Sequence, residues 1–333
     1  MAVVDVAEVE PAAGEVVLEL VATGVCGSDI HGFTGENGRR AAGQIMGHES
    51  VGRIHSIGRG VDPLRFPAGA VATFNPVVVS DHSRRLFAGH EQHAPDRMII
   101  GVAADSPAAF AERIVVPASN VVLLPEDMPI ALGALIEPLA VALNAARRVG
   151  ATEGDTVLVL GGGPIGQSVV LAVQQEGVSR VYLSEPNAVR RELCASLGAI
   201  VLDPADGPIA DQLIARNGSP ADVAIDAVGI SSTLSDALSS VSFGGRVCLV
   251  GMGMPQLTLD AYQLSTAERE LSGSFCYSHD TFVDAAEWVG RGDERFSTLI
   301  SAEVPLSDAP AMFERLATIN DIPGKVLVRL DRR

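Results

Sequence analysis

The stretch Asp155–Gly177 reads DTVLVLGGGPIGQSVVLAVQQEG, and it decides the fold. Val157 to Leu160 is a short unbroken apolar run, the pattern of a strand covered on both faces. It leads directly into Gly161-Gly162-Gly163-Pro164-Ile165-Gly166, then into a helical pattern that stops near Gly177. Strand, glycine turn and helix therefore meet at a G-x-G-x-x-G. In that arrangement Gly161 permits the tight turn, Gly163 lets the backbone approach a pyrophosphate, and Gly166 lets helix and strand pack closely. Pro164 suits the first turn of the helix. Phosphates are expected at the helix N-terminus, where unpaired N–H groups and the macrodipole favour anions.

A glycine fingerprint alone is a weak signal, and the neighbouring sequence strengthens it. The next strand pattern, Arg180–Ser184, ends in Glu185. A ribose-binding carboxylate belongs about 20 residues past the glycines, which is where Glu185 lies. It would accept hydrogen bonds from the ribose hydroxyls and repel a 2′-phosphate, favouring NAD over NADP. Arg190 and Arg191 follow closely and pull the other way, since a guanidinium can serve a phosphate. Helix patterns at 187–197, 208–217 and 232–241 alternate with strand patterns at Val223–Ala227 and Val247–Val250. That alternation predicts a parallel, doubly wound sheet. Val228-Gly229 and Gly251-Met252 close two strand ends, where such sheets bind ligands, so Val228 and Gly251 are candidate cofactor contacts. Plain turn chemistry accounts for them equally well.

Upstream, residues 15–23 (EVVLELVAT) alternate and predict a strand. Cys26 follows, then Ser28, Asp29 and His31, then Gly47-His48-Glu49-Ser50-Val51-Gly52. Cysteine, histidine and glutamate in one short region suit a borderline metal such as zinc. Strands are expected at Phe110–Pro117 and Val121–Leu124, and Pro129–Val149 reads as one helical, apolar-rich linker. Helix patterns at 281–290 and 308–318 and a strand at Lys325–Leu330 close the chain.

Composition sets the limits. A chain of 333 residues suits about two domains. A net charge of −17, a pI near 4.7 and a single lysine, Lys325, argue against nucleic acid, which needs clustered basic residues. No apolar run reads as long enough for a bilayer, and the start lacks a basic-then-apolar signal. No membrane partner and a cytoplasmic location are the expectation. The four cysteines lie far apart, which points to reduced thiols.

Three motifs stand in order: C-G-S-D-x-H from Cys26 to His31, G-H-E-x-x-G-x5-G-x-x-V from Gly47 to Val61, and E-P-L from Glu137. Together with the dinucleotide fingerprint they resemble the zinc-dependent medium-chain alcohol and polyol dehydrogenases, over nearly the whole chain. The resemblance implies an α/β protein with a GroES-like β-rich catalytic domain at 1–137 and 274–333. A Rossmann domain, a doubly wound parallel sheet binding NAD, would occupy 138–273. It implies one catalytic zinc held by Cys26, His48 and Glu49, with Glu137 a further ligand or a partner reached through bound water. Ser28 and His31 match the family's proton relay, and Asp29 would orient the loop. The implied reaction moves hydride between a secondary alcohol (a polyol, sugar, cyclitol or vicinal diol) or its ketone and NAD. Zinc with an open position lowers the pKa of such an alcohol. A homodimer or homotetramer joined through strands of the cofactor domain is also implied. Two other readings are a zinc-independent NAD(P)H reductase of the same superfamily and a non-enzymatic nucleotide-binding relative. The retained Cys26, His48 and Glu49 argue against both.

The chain departs from the family pattern in places. A structural zinc is often held by cysteines spaced C-x2-C-x2-C-x7-C; here Ser80, Ser83, Leu86 and Ala94 stand at that spacing. The resemblance therefore implies no structural zinc. The Val79–Arg97 lobe would be held by its own packing or by a neighbouring subunit, with His82, His90 and His93 in a solvated polar loop. The family usually opens with a strand and turn before the segment matching Val3–Glu10, which this sequence lacks. Cys276 sits between Phe275 and Tyr277, where polyol enzymes tend to carry a basic residue, so a smaller or less polar substrate is expected. Phe33 and Trp288 are candidate pocket walls.

Overall fold

The computed structural model describes residues 1–35, 40–104, 106, 108–319 and 321–330. In chain order the strands are β1 (Glu15–Gly24), β2 (Glu49–Ile57), β3 (Val71–Phe74), β4 (Val77–Val78), β5 (Met98–Ile99), β6 (Arg113–Pro117), β7 (Val121–Leu123) and β8 (Thr156–Leu160). They continue with β9 (Arg180–Ser184), β10 (Ile200–Leu202), β11 (Ala221–Asp226), β12 (Val241–Leu249), β13 (Glu270–Gly273), β14 (Ile300–Pro305) and β15 (Lys325–Arg329). The chain forms two compact units, one of Met1–Ala140 with Tyr277–Arg333, the other of Val141–Cys276.

In the second unit the strand order is β10-β9-β8-β11-β12-β13, and every pairing is parallel. All five residues of β8 are buried, as an unbroken apolar strand requires when helices cover both faces. Leu158, Leu160, Tyr182, Leu202, Leu213 and Leu238 share one core. Each large apolar side chain so buried contributes about 1.5–3 kcal/mol. The chain runs β8, β9, β10 to one side and then returns to β11 on the other. The strand order thus reverses between β8 and β11, where sheets of this kind bind ligands beyond the carboxyl ends of their strands. Strand β12 begins at Val241, earlier than its sequence indicates, because Gly244-Gly245 reads as a turn.

In the first unit the order is β14-β15-β1-β2-β3-β7, with β6 also pairing with β1. Strand β1 is the hub, antiparallel to β2, β6 and β15. Leu18, Phe74, Ile114 and Val328 lie in the core with Phe313 of the helix Ala309–Thr318. Phe33 and Phe110 meet the Phe313 ring edge-on, at 5.9 and 5.3 Å between centroids.

Four sequence expectations are corrected. Pro129–Val149 is not one helix: a 3-10 turn, Ile130–Leu135, precedes the α-helix Ile136–Arg148. Pro138 explains the break, since it fits a first turn but cannot accept an α-helix running in from behind. The stretch Ile130–Arg148 is also long and apolar enough to cross a membrane by length and composition, contrary to the sequence reading. Its apolar window is 72% buried within the protein, as a core helix is. The Val79–Arg97 lobe is not a plain loop. Ser80 caps the helix Asp81–Leu86 by accepting from Ser83 N–H, and Ser83 and Ala94 are buried. Asp96 binds back to Ser80 N–H at 3.3 Å, while His82, His90 and His93 are exposed. Trp288 is a core residue rather than a pocket wall: it is buried, edge-on to Phe296 at 5.2 Å.

Candidate active site

In the first unit, β1 ends at Gly24 and hands the chain to Cys26, which precedes the helix Gly27–Thr34. His48 and Glu49 enter beside it at the start of β2. The registered pairing of Gly24 with Glu49 brings these segments together. A side chain at Gly24 would collide with the Glu49 carboxylate, so glycine is required there. The ligand atoms of Cys26, His48 and Glu49 lie within 4.8 Å of one another. Thiol, imidazole and carboxylate so close together form a donor set that fits zinc.

The surrounding groups are charged and buried. Lys325 Nζ donates to both Glu49 oxygens, at 2.8 and 2.6 Å, and to Val25 O at 3.2 Å. Asp29 is fully buried; its Oδ2 accepts from Cys26 N–H at 3.1 Å. Asp29 Oδ1 stands 3.7 Å from both His48 Nδ1 and Arg40 Nη2. Glu137 Oε1 accepts from the Tyr277 hydroxyl at 2.8 Å, and Glu137 is not part of the close trio. Counted as ions, a Cys26 thiolate, Asp29, Glu49 and Glu137 outnumber Arg40 and Lys325 by two charges. A divalent cation would balance them, and uncompensated buried charge is costly.

For the protein groups alone, proton affinity makes up the deficit. Burial and the charge of Glu49 push the Glu137 carboxyl up to about 7, against the pull of His48, Tyr277 and Lys325. Burial would lower His48, but Asp29, Cys26 and Glu137 outweigh it and raise the imidazole to about 10. Ser28 lies in the first turn of the helix Gly27–Thr34; its buried Oγ has no hydrogen-bond partner among the described residues. His31 follows one turn on and is half-buried.

In the second unit, β8 runs into Gly161, whose φ is +94°, and the helix Pro164–Gln175 begins with Pro164 in its first turn. A Cβ on Gly166 would strike the Gly161 carbonyl, while one on Gly163 would meet nothing within 4 Å. Gly166 is therefore needed for packing, and Gly163 leaves room for a ligand. Ile165 is half-buried beside it. Glu185 is buried, and its carboxylate is oriented by the turn: Oε2 accepts from Gly162 N–H at 2.7 Å, Oε1 from Asn187 N–H at 2.8 Å. Arg190 N–H donates to the Asn187 side chain at 3.2 Å, which caps the helix Ala188–Ser196. Cys194 packs behind the loop, and burial with the nearby Glu185 pushes its thiol up to about 12, so it is inert. At the ends of β11 and β12, Asp226 accepts from Val228 and Gly229 N–H at 2.9 and 3.0 Å, and Gly251 packs tightly on Val228.

Sequence reasoning missed Lys325, Tyr277, Arg40 and Asp226 as parts of these sites. Only the solitary status of Lys325 gave any signal.

Residues 12–126 match the alcohol dehydrogenase GroES-like domain, and residues 164–291 the zinc-binding dehydrogenase domain. The 2-dehydro-3-deoxy-L-galactonate 5-dehydrogenase of Pseudoalteromonas atlantica is 31% identical over 312 residues, 92% of this chain and 89% of that protein. The crystal structure of 2R,3R-butanediol dehydrogenase from Bacillus subtilis gives a TM-score of 0.87 at 26% identity, covering 98% of this chain and 95% of that one. A protein from Sinorhizobium meliloti described as a zinc-binding dehydrogenase, bound to NADP, gives 0.88 at 27%, with 98% and 95% covered. The chain belongs to the zinc-dependent medium-chain alcohol and polyol dehydrogenases. It is a zinc-dependent alcohol/polyol oxidoreductase that uses NAD(P), built from a GroES-like fold and a Rossmann fold.

Proposed function

We propose that this enzyme oxidises a secondary alcohol (a polyol, sugar, cyclitol or vicinal diol) with NAD as hydride acceptor, and reduces the matching ketone in reverse. The observation that carries the proposal is the meeting of Cys26, His48 and Glu49 within 4.8 Å. Residues 1–137 and 274–333 would carry the metal chemistry, and 138–273 the dinucleotide. Cys26, His48 and Glu49 would hold zinc, which when bound would supply a Lewis acid that lowers the pKa of the substrate hydroxyl. Asp29, with Oδ1 3.7 Å from His48 Nδ1, places a negative charge behind the imidazole and would orient it on closer approach. Lys325 fixes the Glu49 carboxylate. Glu137, its carboxyl raised by burial, is held by the Tyr277 hydroxyl beside the trio.

Ser28 Oγ takes the hydroxyl proton and passes it toward His31, the side-chain type suited to exchange with water near neutral pH. Gly161, Gly163, Pro164, Ile165 and Gly166 cradle the pyrophosphate, Glu185 binds the adenosine ribose, and Arg190, Val228 and Gly251 complete the contact. A homodimer or homotetramer is favoured by the open edge of β13 and by Phe243 and Tyr262, which are exposed. Four free cysteines support a reducing, cytoplasmic setting.

The test is metal content per chain for wild type and Cys26→Ala, with NAD reduction over a panel of diols, polyols and sugars. About one zinc, lost in the variant, together with NAD-linked turnover, is expected. No zinc after metal-replete purification overturns the mechanism, and two zincs overturn the reading of the Ser80–Ala94 lobe.

A further inference from the structure

The sequence leaves Arg191 ambiguous, because a guanidinium just beyond Glu185 could serve either cofactor. The structure commits it. Arg191 Nη1 donates to the carbonyls of Glu185 and Pro186, both at 2.7 Å. Its Nη2 pairs with Asp203 Oδ2 at 2.6 Å, both side chains being largely buried. Asp203 is fixed in turn: Oδ1 accepts from Ala205 N–H at 2.9 Å, and its carbonyl accepts from Gln212 Nε2 at 2.7 Å. The contacts join the end of β9, the helix Ala188–Ser196, the turn after β10 and the helix Ile209–Asn217.

We propose that the Arg191–Asp203 pair makes this nucleotide site selective for NAD over NADP. The assignment rests on the dinucleotide reading of the site and deepens it. Two effects act together. Arg191 clamps the peptide that follows Glu185, whose carboxylate is already aimed by Gly162 and Asn187 N–H, so the ribose receptor is preorganised. To serve a 2′-phosphate, Arg191 would have to release two carbonyls and a carboxylate. The phosphate would also face Glu185 and the abandoned Asp203, both negative. Arg191 is thus a positioning residue that acts through Glu185.

The experiment measures NADH and NADPH affinity by nicotinamide fluorescence for wild type, Arg191→Ala and Asp203→Asn, with melting temperature as a check on folding. Arg191→Ala is expected to weaken NADH about tenfold and NADPH little, narrowing the preference. Asp203→Asn, which leaves the guanidinium on its two carbonyls but removes the carboxylate that neutralises it and would repel a phosphate, is expected to strengthen NADPH several-fold. If Arg191→Ala weakens NADPH more than NADH, the residue is a phosphate receptor and the proposal fails. Equal losses for both cofactors, or an Asp203→Asn variant with wild-type selectivity, also overturn it. A folded wild type that binds neither dinucleotide fails earlier, at the nucleotide site itself.

Discussion

At the scale of single residues, the least anticipated feature is Lys325 against Glu49. The two lie 276 positions apart and meet through the pairing of β15 and β2 with β1. Breaking a buried ion pair costs about 3–5 kcal/mol, since it leaves a charge without compensation. Zinc on Glu49 would supply that compensation. Lys325→Met is therefore expected to lower the melting temperature sharply in chelator-treated protein and much less in zinc-loaded protein. An equal drop in both states would mean that the lysine stem packs and its charge does nothing. The same separation explains what could be read in advance. Cys26, His48 and Glu49 lie close in sequence and were legible as a metal set. Tyr277, Lys325 and Arg40 carry no local pattern, and only the folded chain brings them to their partners.

At the scale of elements, the glycine turn separates packing from binding. Gly166 presses on the Gly161 carbonyl, and Gly163 faces open space. Gly166→Ala must push helix from strand and is expected to cost about 1–3 kcal/mol of stability along with cofactor affinity. Gly163→Ala is expected to keep the wild-type melting temperature while weakening NADH at least tenfold. If Gly163→Ala binds NADH normally, the pyrophosphate does not approach there. Strand β8 and its helix were legible because period, length and punctuation agree. The turn Ile130–Leu135 was not, because apolar residues at helical spacing suit an α-helix equally, and Pro138 sits a few residues past the point where the winding changes. The short helix Asp81–Leu86 within the 79–97 lobe was not legible for a related reason. Its order comes from Ser80 and Asp96 hydrogen bonds rather than from apolar periodicity.

Across the whole molecule, the buried charge cluster links stability to pH. Glu137 is raised from 4.5 to about 7 and His48 from 6.5 to about 10. In both cases the folded state holds its proton longer than the unfolded chain. Their contribution is complete below 4.5 for Glu137 and below 6.5 for His48, and it is lost as pH rises through about 7 and about 10. Zinc-stripped protein is expected to melt at progressively lower temperature between those limits, while zinc-loaded protein, its charges balanced by the metal, holds steadier. A flat profile for the stripped protein would show that the cluster is not where the charge deficit lies.

Lys325 is the chain's one lysine, and it is 3% exposed. The folded surface therefore offers no ε-amine to acylating reagents, amine-directed cross-linkers or lysine-modifying enzymes. Any label found on Lys325 marks a molecule whose interior has come open, so a single site reports, copy by copy, how often that happens.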